Sequence, residues 1–379
     1  MNFELTSDQK LIRDNVYDFA QNEIAPGAAE RDRTGEFPLD IIKKMGDLGL
    51  MGLPVDEKYG GAGSDYISYL LATEEIARAC GSMGLTYDAH IALGIAPIYY
   101  FGTEEQKNKY LPVMCSGEVL GSMGLTEPEA GSDSGNTKTT AVLDGDSWVI
   151  NGSKCFITNA SYSKWVTISA ITEKGIGTKG ISTFVVPTDA PGFEIRTGYE
   201  KMGLHSSNTT ELIFENVRIP RENLLGLINQ GFKQLMKVLD GGRLAVAALT
   251  TGIAQACLDA SVKYSKERVQ FGESLSRFQA IQFKLADMKM NIEIGRNMYL
   301  KGGWLKDNNK PYTQEAAIAK LFCSEMATRA ALEAIQIHGG YGYIKEFPVE
   351  RYLRDTKLLE IGEGTSEIQR IIIARGLGL

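Results

Sequence analysis

The stretch TTAVLDGDSWVING, residues 139–152, decides how the chain is divided, because strand-like periodicity here replaces helical periodicity. Its β-branched and aromatic residues flank the turn Asp144-Gly145-Asp146, which predicts a β-hairpin. Further strand-like runs follow, namely KWVTISAI (164–171), ISTFVVP (181–187) and TTELIFENVRI (209–219). Together these runs predict a small antiparallel β domain over residues 118–225.

The segment before this domain, residues 1–117, has helical periodicity. Two capping boxes mark helix starts, Thr6 with Gln9 and Thr103 with Gln106. Prolines are expected to end both of these helices, at Pro26 and Pro112. Further helices are predicted after the Phe37-Pro38 pair and after the glycines at 60, 61 and 63. This segment is therefore expected to be all-α.

After residue 225 the chain returns to long helical patterns without turn residues. Three such stretches are residues 231–271, 277–304 and 313–337, and a shorter helix closes the chain. Each long stretch carries an apolar stripe, which predicts a four-helix bundle over residues 226–379. The predicted fold class is α+β, in the order helical domain, antiparallel β domain and helical bundle.

Composition excludes several classes of protein. The 379 residues include 40 basic and 47 acidic side chains, for a net charge of -7, and no basic run could follow a phosphate backbone. We therefore expect no nucleic-acid partner. No run of 18 apolar residues is present and the first residues resemble neither a signal nor a transit peptide, so we expect no membrane span. The expected location is the cytoplasm, or the mitochondrial matrix if a transit peptide has been removed.

Cysteine and histidine usage argues against a metal centre. The five cysteines lie far apart without a C-x-x-C pair, which favours a reducing compartment. The three histidines, His90, His205 and His338, form no pair with metal-ligand spacing. We expect no metal site.

Four short motifs are ambiguous when each is taken alone. Residues 124–141, GLTEPEAGSDSGNTKTTA, form either a polar loop or a cradle of N–H groups and hydroxyls for a phosphate or heterocycle. Residues 154–160, KCFITNA, combine an aromatic ring with a hydroxyl, as a flat ligand requires and as many strand ends also do. Arg268 in ERVQFG suits either a pyrophosphate or the helix dipole, and the glycines of IHGGYGY allow a close ligand or end a helix. Neither a Rossmann nor a P-loop motif is present.

A fifth motif surrounds Glu363, which lies between Gly362 and Gly364 just before the closing helix. Ser366 and Gln369 have the spacing of a capping box at that helix start. Glu363 is therefore either a loop residue before a capped helix or a carboxylate placed for proton transfer.

Taken in order, these motifs resemble those of the acyl-CoA dehydrogenase family, most of all its butyryl or short-chain members. The resemblance rests on LTEPEAGSD (125–133), FITNA (156–160), KMGLHSSNTTELIFENVRIP (201–220), ERVQFG (267–272), QIHGGYGY (336–343) and RDTKLLEIGEGTSEIQ (354–369). It covers essentially the whole chain and keeps the order α, β, α.

The resemblance implies a homotetramer that binds FAD between the β domain and the C-terminal helices. It implies that the ring system meets two segments, and that residues of a neighbouring subunit meet the pyrophosphate and adenosine. The ring contacts implied are Met123, Leu125, Thr126, Phe156, Ile157 and Thr158; the neighbour's contacts are Arg268, Gln270, Phe271, Gln279, Gln336, Gly339 and Gly340; Thr365 and Glu367 complete the set.

The resemblance also implies the catalytic base and the substrate contacts. Glu363 matches the base, and Ser132, Asp240, Arg243 and Gly364 match residues that contact the acyl-CoA. A second subgroup, with isovaleryl-CoA dehydrogenase, carries its base just before the arginine of LDGGR, where this chain has Gly242, so Glu363 is favoured.

Two residues bear on the acyl group. Many members have tyrosine where this chain has Gly362, which removes bulk near the acyl pocket. Tyr87, in the segment expected at the floor of that pocket, would shorten it if its ring pointed inward.

The reaction implied is α,β-dehydrogenation of a short- to medium-chain acyl-CoA to the trans-2-enoyl-CoA. Glu363 removes the α proton, hydride passes to flavin N5, and an electron-transferring flavoprotein takes the electrons. Because no basic residue lies within two positions of Glu363, its carboxylate is not held ionised by local sequence, and burial is expected to raise its pKa. The alternatives are a branched-chain dehydrogenase or an acyl-CoA oxidase on the same fold, and a non-catalytic scaffold or DNA-associated protein.

Overall fold

The computed structural model describes residues 4–379, and its first segment is helical as predicted. Its α-helices are α1 (Ser7–Phe19), α2 (Ala28–Thr34), α3 (Leu39–Asp47), α4 (Tyr66–Ala79), α5 (Gly81–Asp88), α6 (Ala96–Phe101) and α7 (Glu104–Cys115). Short π-helical turns, Ala20–Ile24 and Ala89–Ile95, extend α1 and α5. Both predicted capping boxes, at Thr6 and at Thr103, are present.

The predicted end of α7 at Pro112 is wrong. The helix continues to Cys115, with Pro112 inside it, because Leu111, Met114 and Cys115 are buried in a core cluster on its far side. Tertiary packing here outweighs the hydrogen bond that proline cannot donate. The first helical run also departs from prediction, since α1 ends at Phe19 and the chain passes Pro26 in a 3₁₀ turn.

The middle segment forms one mixed sheet. Its strands are β1 (Met123–Gly124), β2 (Thr140–Asp144), β3 (Ser147–Thr158), β4 (Trp165–Ile171), β5 (Ile181–Pro187), β6 (Phe193–Arg196), β7 (Thr209–Pro220) and β8 (Leu224–Leu225). The order is β6-β7-β3-β2-β4-β5-β8, with β1 beside β4. The predicted hairpin joins β2 to β3.

The prediction that the sheet is antiparallel is only partly correct. β4 pairs in parallel with both β1 and β2, while the other pairings within this sheet are antiparallel. The connection of residues 125–139 separates β1 from β2 and allows both strands to run beside β4 in the same direction. Sequence periodicity identifies strands but not their partners, which explains the difference.

The last segment contains the predicted long helices. They are α8 (Gly231–Glu267), α9 (Gln279–Asp307) and α10 (Thr313–His338), followed by α11 (Val349–Leu359) and α12 (Ser366–Gly376); a small hairpin of β9 (Val269–Gln270) and β10 (Glu273–Ser274) joins α8 to α9. α8, α9 and α10 pack against one another and α12 packs on α10, while α11 is an additional helix that the prediction lacked.

Helix α8 passes through the middle of the molecule and contacts α4 and α5 as well as α9 and α10. Among residues 4–379 it is the one helix with the length and hydropathy to span a membrane, but 78% of its most apolar window is buried inside the protein. That burial is the pattern of a core helix.

An ion pair and a hydrogen bond connect α11 to the two preceding segments. Arg354 pairs with Asp32 of α2 at 2.7 Å, and Asp355 accepts a hydrogen bond at 2.6 Å from the N–H of Leu204, in the loop before β7. The turn that follows α11 and carries Glu363 is thus anchored to both other segments.

Candidate active site

Glu363 occupies a strained turn between α11 and α12. Its φ is +54° and that of Gly364 is +97°, so two consecutive residues have left-handed backbone. Non-glycine residues rarely adopt this conformation, and it persists where surrounding contacts enforce it. Here Gln369 Nε2 donates to the carbonyl of Gly364 at 2.8 Å and Lys320 Nζ donates to the same oxygen at 2.8 Å.

The predicted capping box of Ser366 with Gln369 is wrong. The N-cap of α12 is Thr365, whose hydroxyl accepts from the N–H of Ile368 at 3.3 Å. Ser366 is already the first helical residue, and Gln369 uses its side chain to hold the turn. The cap lies one residue earlier because the backbone leaves the left-handed region only at Thr365, where φ is -58°.

The side chain of Glu363 lies against α8 at Gly242. An ideal Cβ built on Gly242 would be 3.0 Å from Cδ of Glu363 and closer still to Oε2. The two positions weighed for the base in the sequence therefore meet at one place in the fold. Glycine at 242 leaves the space that the Glu363 carboxylate fills.

Three ionisable side chains far away in the sequence face this carboxylate, namely Asp88 from α5, Arg243 from α8 and Lys320 from α10. Burial raises the pKa of Glu363 to about 7, against the opposing effects of the Asp88 hydrogen bond and the two cations. The sequence lacked a nearby cation, but the fold supplies two of them. The sequence analysis assigned no role to Asp88 or Lys320, although Asp88 directly follows Tyr87 in the segment expected at the floor of the acyl pocket.

Both cations are themselves buried. Burial lowers the pKa of Lys320 to about 8, although Glu363 acts in the opposite direction. Burial also lowers the pKa of Arg243, whose Nη1 donates to Asp240 at 2.6 Å. Asp240 accepts in addition from the hydroxyl of Thr313 at 2.6 Å.

The substrate residues predicted on α8 are therefore next to the base, since Arg243 follows Gly242. Ser132 is less closely connected. It is exposed in the loop before β2, and three residues later that loop approaches the start of α8, where an ideal Cβ on Gly135 would be 3.9 Å from the ring of Phe232. The loop with Ser132 therefore lies beside the first turn of α8, the helix that carries Gly242 further along.

The two segments predicted to meet a ring system are adjacent. The N–H of Cys155 donates to the carbonyl of Thr126 at 2.9 Å, and the hydroxyl of Ser122 donates to the carbonyl of Thr158 at 2.7 Å. Met123 lies on β1 and Leu125 follows it, while Ile157 is buried in the sheet core.

Phe156 projects from this pair of segments. The register of β3 with β7 shifts between Lys154 and Ile157, and within this irregularity Phe156 has φ +60° and leaves 64% of its surface exposed. Its ring packs on that of Tyr199, with the ring centroids 5.1 Å apart. An exposed aromatic ring beside Thr126 and Thr158 fits a flat, polar-edged ligand such as the flavin that the resemblance implies.

A buried ion pair supports the same two segments. Lys154 Nζ pairs with Glu127 at 2.6 Å and also donates to the carbonyl of Leu125 and the hydroxyl of Ser169. Burial alone would raise the pKa of Glu127, but the Lys154 charge and its hydrogen bonds lower it to about 2. Both residues lie inside the quoted motifs, yet the sequence analysis assigned them no role.

A short path of contacts leads from these segments to the base. Asn159, with φ +68°, donates from Nδ2 to the carbonyl of Thr86 at 3.0 Å. Thr86 lies on α5 two residues before Asp88, which faces Glu363. The ring segments and the carboxylate therefore border the same region of α5.

The other predicted cofactor residues lie elsewhere on the chain. Arg268, Gln270, Gly339 and Gly340 line one open cavity together with Tyr264 and His338. Phe271 is 95% exposed in the neighbouring hairpin, and Gln279 and Gln336 are exposed as well. None of the residues that line this cavity belongs to the group around Glu363.

Of the two roles considered for the glycines of that cavity, the structure contains the helix end. Gly339, with φ +60°, ends α10, and no atom of residues 4–379 lies within 4 Å of an ideal Cβ on Gly339 or Gly340. His338 is buried with its ring stacked at 4.3 Å on Tyr264, and burial lowers its pKa. His338 is therefore a rigidly packed part of the cavity wall.

Tyr87 and Gly362 are the two residues that the sequence analysis connected with the acyl group. The Tyr87 hydroxyl donates to the carbonyl of Leu50 at 3.0 Å and the ring is buried in the core of the first segment. The Tyr87 side chain is therefore part of that core. Among residues 4–379, an ideal Cβ on Gly362 would have one neighbour within 4 Å, the carbonyl oxygen of Leu358 at an ordinary 3.6 Å.

Thr365 caps α12, and Glu367 is exposed in the first turn of that helix. Within residues 4–379, no group of three or more His, Cys, Asp or Glu side chains is placed to hold a metal ion. The five cysteines are free and buried.

Comparison with known proteins gives matches along almost the whole chain. The sequence matches "Acyl-CoA dehydrogenase, N-terminal domain" at residues 6–118, the corresponding middle domain at 122–217 and the C-terminal domain at 229–378. A protein of Bacillus subtilis (strain 168) named a probable acyl-CoA dehydrogenase is 61% identical over 378 residues, with 100% of each chain covered.

Solved structures agree. Butyryl-CoA dehydrogenase from Megasphaera elsdenii has a TM-score of 0.98 at 44% identity, with 100% of each chain covered. A chain in a structure described as the electron transferring flavoprotein of Acidaminococcus fermentans has a TM-score of 0.98 at 47% identity, covering 100% of this chain and 99% of that one.

Proposed function

The chain belongs to the acyl-CoA dehydrogenase family and is an FAD-dependent enzyme of that class, and from this premise we propose that Glu363 is the base that removes the α proton. The substrate proposed is a short- to medium-chain acyl-CoA and the product is the trans-2-enoyl-CoA. When bound, FAD accepts the hydride that leaves the β carbon. Proton removal, hydrogen bonding to the thioester and substrate binding are carried out by side chains and backbone groups of this chain.

The observation that carries the proposal is the environment of the Glu363 carboxylate. A carboxylate in water is too weak a base for an α C–H bond, but burial raises the pKa of Glu363 to about 7. The carboxylate is near its ionisation point at neutral pH, and its Oε2, which lies against Gly242, accepts no hydrogen bond from residues 4–379. That combination suits a general base.

The developing enolate needs hydrogen-bond donors at the thioester carbonyl. Within residues 4–379 the backbone N–H of Glu363 has no acceptor among the hydrogen bonds of the turn. A free N–H beside the base is able to donate to that oxygen, and such a donor is worth roughly 3 kcal/mol of transition-state stabilisation. Because Glu363 and Gly364 have left-handed backbone, this N–H does not take part in helical hydrogen bonding.

The CoA portion is proposed to lie along α8. Asp240 and Arg243 are on the same helix as Gly242, and the loop with Ser132 borders the start of that helix. The short-chain preference draws support from the likeness to butyryl-CoA dehydrogenase of Megasphaera elsdenii. Gly362 leaves room that a branched acyl group would also fit.

We propose that each FAD is completed by a second subunit of a homotetramer. The segments around Phe156 would meet the ring, with Thr365 and Glu367 at the edge of the site. The exposed cavity with Arg268, Gln270 and Gly339 lines no part of the region around Glu363, so it would serve the cofactor of a neighbour. Electrons are proposed to leave to an electron-transferring flavoprotein, in keeping with the similar chain in the Acidaminococcus fermentans structure.

The test compares Glu363→Gln with Glu360→Gln, a glutamate at the start of the same turn that pairs with Lys357 and Thr328. Both variants should retain FAD and bind butyryl-CoA. We expect Glu363→Gln to reduce its flavin at least about 10³-fold more slowly under anaerobic conditions, while Glu360→Gln stays near the wild-type rate. Near-normal reduction in Glu363→Gln would move the base to another residue.

Two further measurements separate the rival functions. Reduced enzyme should transfer electrons to an electron-transferring flavoprotein and reoxidise slowly in air, whereas rapid reoxidation by oxygen alone indicates an oxidase. Bleaching with straight and branched acyl-CoAs from C4 to C12 ranks the substrates, and absence of flavin absorbance in the purified protein would indicate a scaffold.

A further inference from the structure

Asp88, the last residue of α5, is a fully buried carboxyl group that the reaction scheme does not yet use. Its Oδ1 accepts a hydrogen bond from the hydroxyl of Tyr69 at 3.1 Å. Its Oδ2 is buried and has no donor among residues 4–379, and the same is true of Oε2 of Glu363. An unpartnered buried carboxyl oxygen is costly, so two of them facing one site call for an explanation.

Asp88 and Glu363 face each other closely enough to act on one another's pKa, yet Oδ2 of Asp88 and Oε2 of Glu363 both lack a donor among residues 4–379. A carboxylate has no proton to donate, so a hydrogen bond between the two groups requires that one of them be protonated. Two carboxylates in contact in a buried site also cannot both be ionised, and such a pair titrates as a unit. The pair therefore holds one proton near neutral pH.

The surroundings decide which group holds the proton. Glu363 faces two cations, Arg243 on α8 and Lys320 on α10, which favour its ionised form. Besides Glu363 itself, Asp88 faces the hydroxyls of Tyr69 and Tyr66 on α4, and both of these hydroxyls also face Glu363. Burial, and then the charge of Glu363, raise the pKa of Asp88 well above its ordinary range.

We propose that Asp88 is a positioning residue for the base, which remains protonated and donates a hydrogen bond that orients the ionised carboxylate of Glu363. This inference rests on the proposed role of Glu363 as the base. The α proton of the substrate ends on Glu363, and Asp88 keeps its own proton throughout. One hydrogen bond thus fixes one carboxylate oxygen and leaves the other to meet the substrate.

The competing explanation is that Asp88 only accepts the hydrogen bond of Tyr69 and stabilises α4 against α5. A structural role of that kind predicts lower thermal stability in Asp88 variants but no change in the ionisation of Glu363. The pH dependence of flavin reduction therefore separates the two explanations.

The experiment compares Asp88→Ala/Tyr69→Phe with Tyr69→Phe alone, so that no tyrosine hydroxyl is orphaned in either protein. Loss of a hydrogen bond to a charged group is expected to move the acidic limb of the rate–pH profile upward by about one pH unit. Reduction by butyryl-CoA should then be about tenfold slower at pH 6 in the double variant and similar in both proteins at pH 9. Coincident profiles would overturn the proposal.

Asp88→Asn supplies an independent readout that needs no turnover and guards against misfolding. The amide keeps a donor of the same shape but cannot ionise, so its acidic limb should stay near that of the wild type. Infrared spectra of wild type minus Asp88→Asn at pH 8 should show the carbonyl band of a protonated carboxyl group. Absence of that band would also overturn the proposal.

These outcomes remain distinct from those that test the base itself. If Glu363→Gln reduces its flavin at the wild-type rate, the proposed function fails. If Glu363→Gln is inactive while the two pH profiles coincide, only the role of Asp88 fails.

Discussion

Gly242→Ala should slow proton abstraction while leaving the fold intact. The added methyl group would lie 3.0 Å from Cδ of Glu363 and closer still to Oε2. Ordinary contacts between carbon atoms are about 3.5–4.0 Å, so the carboxylate must withdraw by about 1 Å. A shift of that size in a reacting group costs about 100-fold in rate.

Stability should change little in this variant. The clashing atoms are at the end of a flexible side chain, and alanine stabilises a helix interior by about 0.5–1 kcal/mol relative to glycine. The neighbouring Gly241→Ala is the matched control, since its methyl group would meet the Tyr66 hydroxyl at 3.0 Å and Lys306 at 3.2 Å but not Glu363.

The assay is anaerobic flavin reduction by butyryl-CoA in a stopped-flow instrument, with FAD content and melting temperature measured on the same samples. We expect Gly242→Ala to be about 100-fold slower than Gly241→Ala at pH 7.5, with equal FAD content. A wild-type rate in Gly242→Ala would refute the reasoning, because the carboxylate would then not react from its place beside α8.

Three further predictions follow from the same site. In a rate–pH profile, flavin reduction should become faster as the pH rises through about 7, because Glu363 ionises there. Lys320→Met removes a cation that lowers the pKa of Glu363, so it should move the acidic limb of that profile upward by about one pH unit. Glu127→Gln leaves the Lys154 ammonium buried without its carboxylate, so denaturant unfolding should show a loss of about 3–5 kcal/mol, and an unchanged midpoint would argue against a buried ion pair. Gly362→Tyr should fold normally and lower kcat/KM for branched relative to straight C4 substrates by about tenfold, whereas an unchanged ratio would place Gly362 outside the acyl pocket.

Local sequence was sufficient for most of the elements. The capping boxes at Thr6 and Thr103 and the Asp144-Gly145-Asp146 turn predicted element boundaries that the structure contains. These features depend on hydrogen bonds within a few residues, so the sequence carries the whole signal. Where packing from distant residues decides, as at Pro112 inside α7 and in the parallel pairing of β4, the prediction was wrong.

The same division holds for the site. The sequence by itself determined the order of the three segments, a glutamate between two glycines before the last helix, and a glycine at position 242. Only the tertiary structure brought Asp88, Arg243 and Lys320 to Glu363 and raised the pKa of that carboxyl group to about 7. The reason is physical: a pKa depends on burial and on charges within a few ångströms, and residues from four separate elements meet at that distance only after the chain has folded.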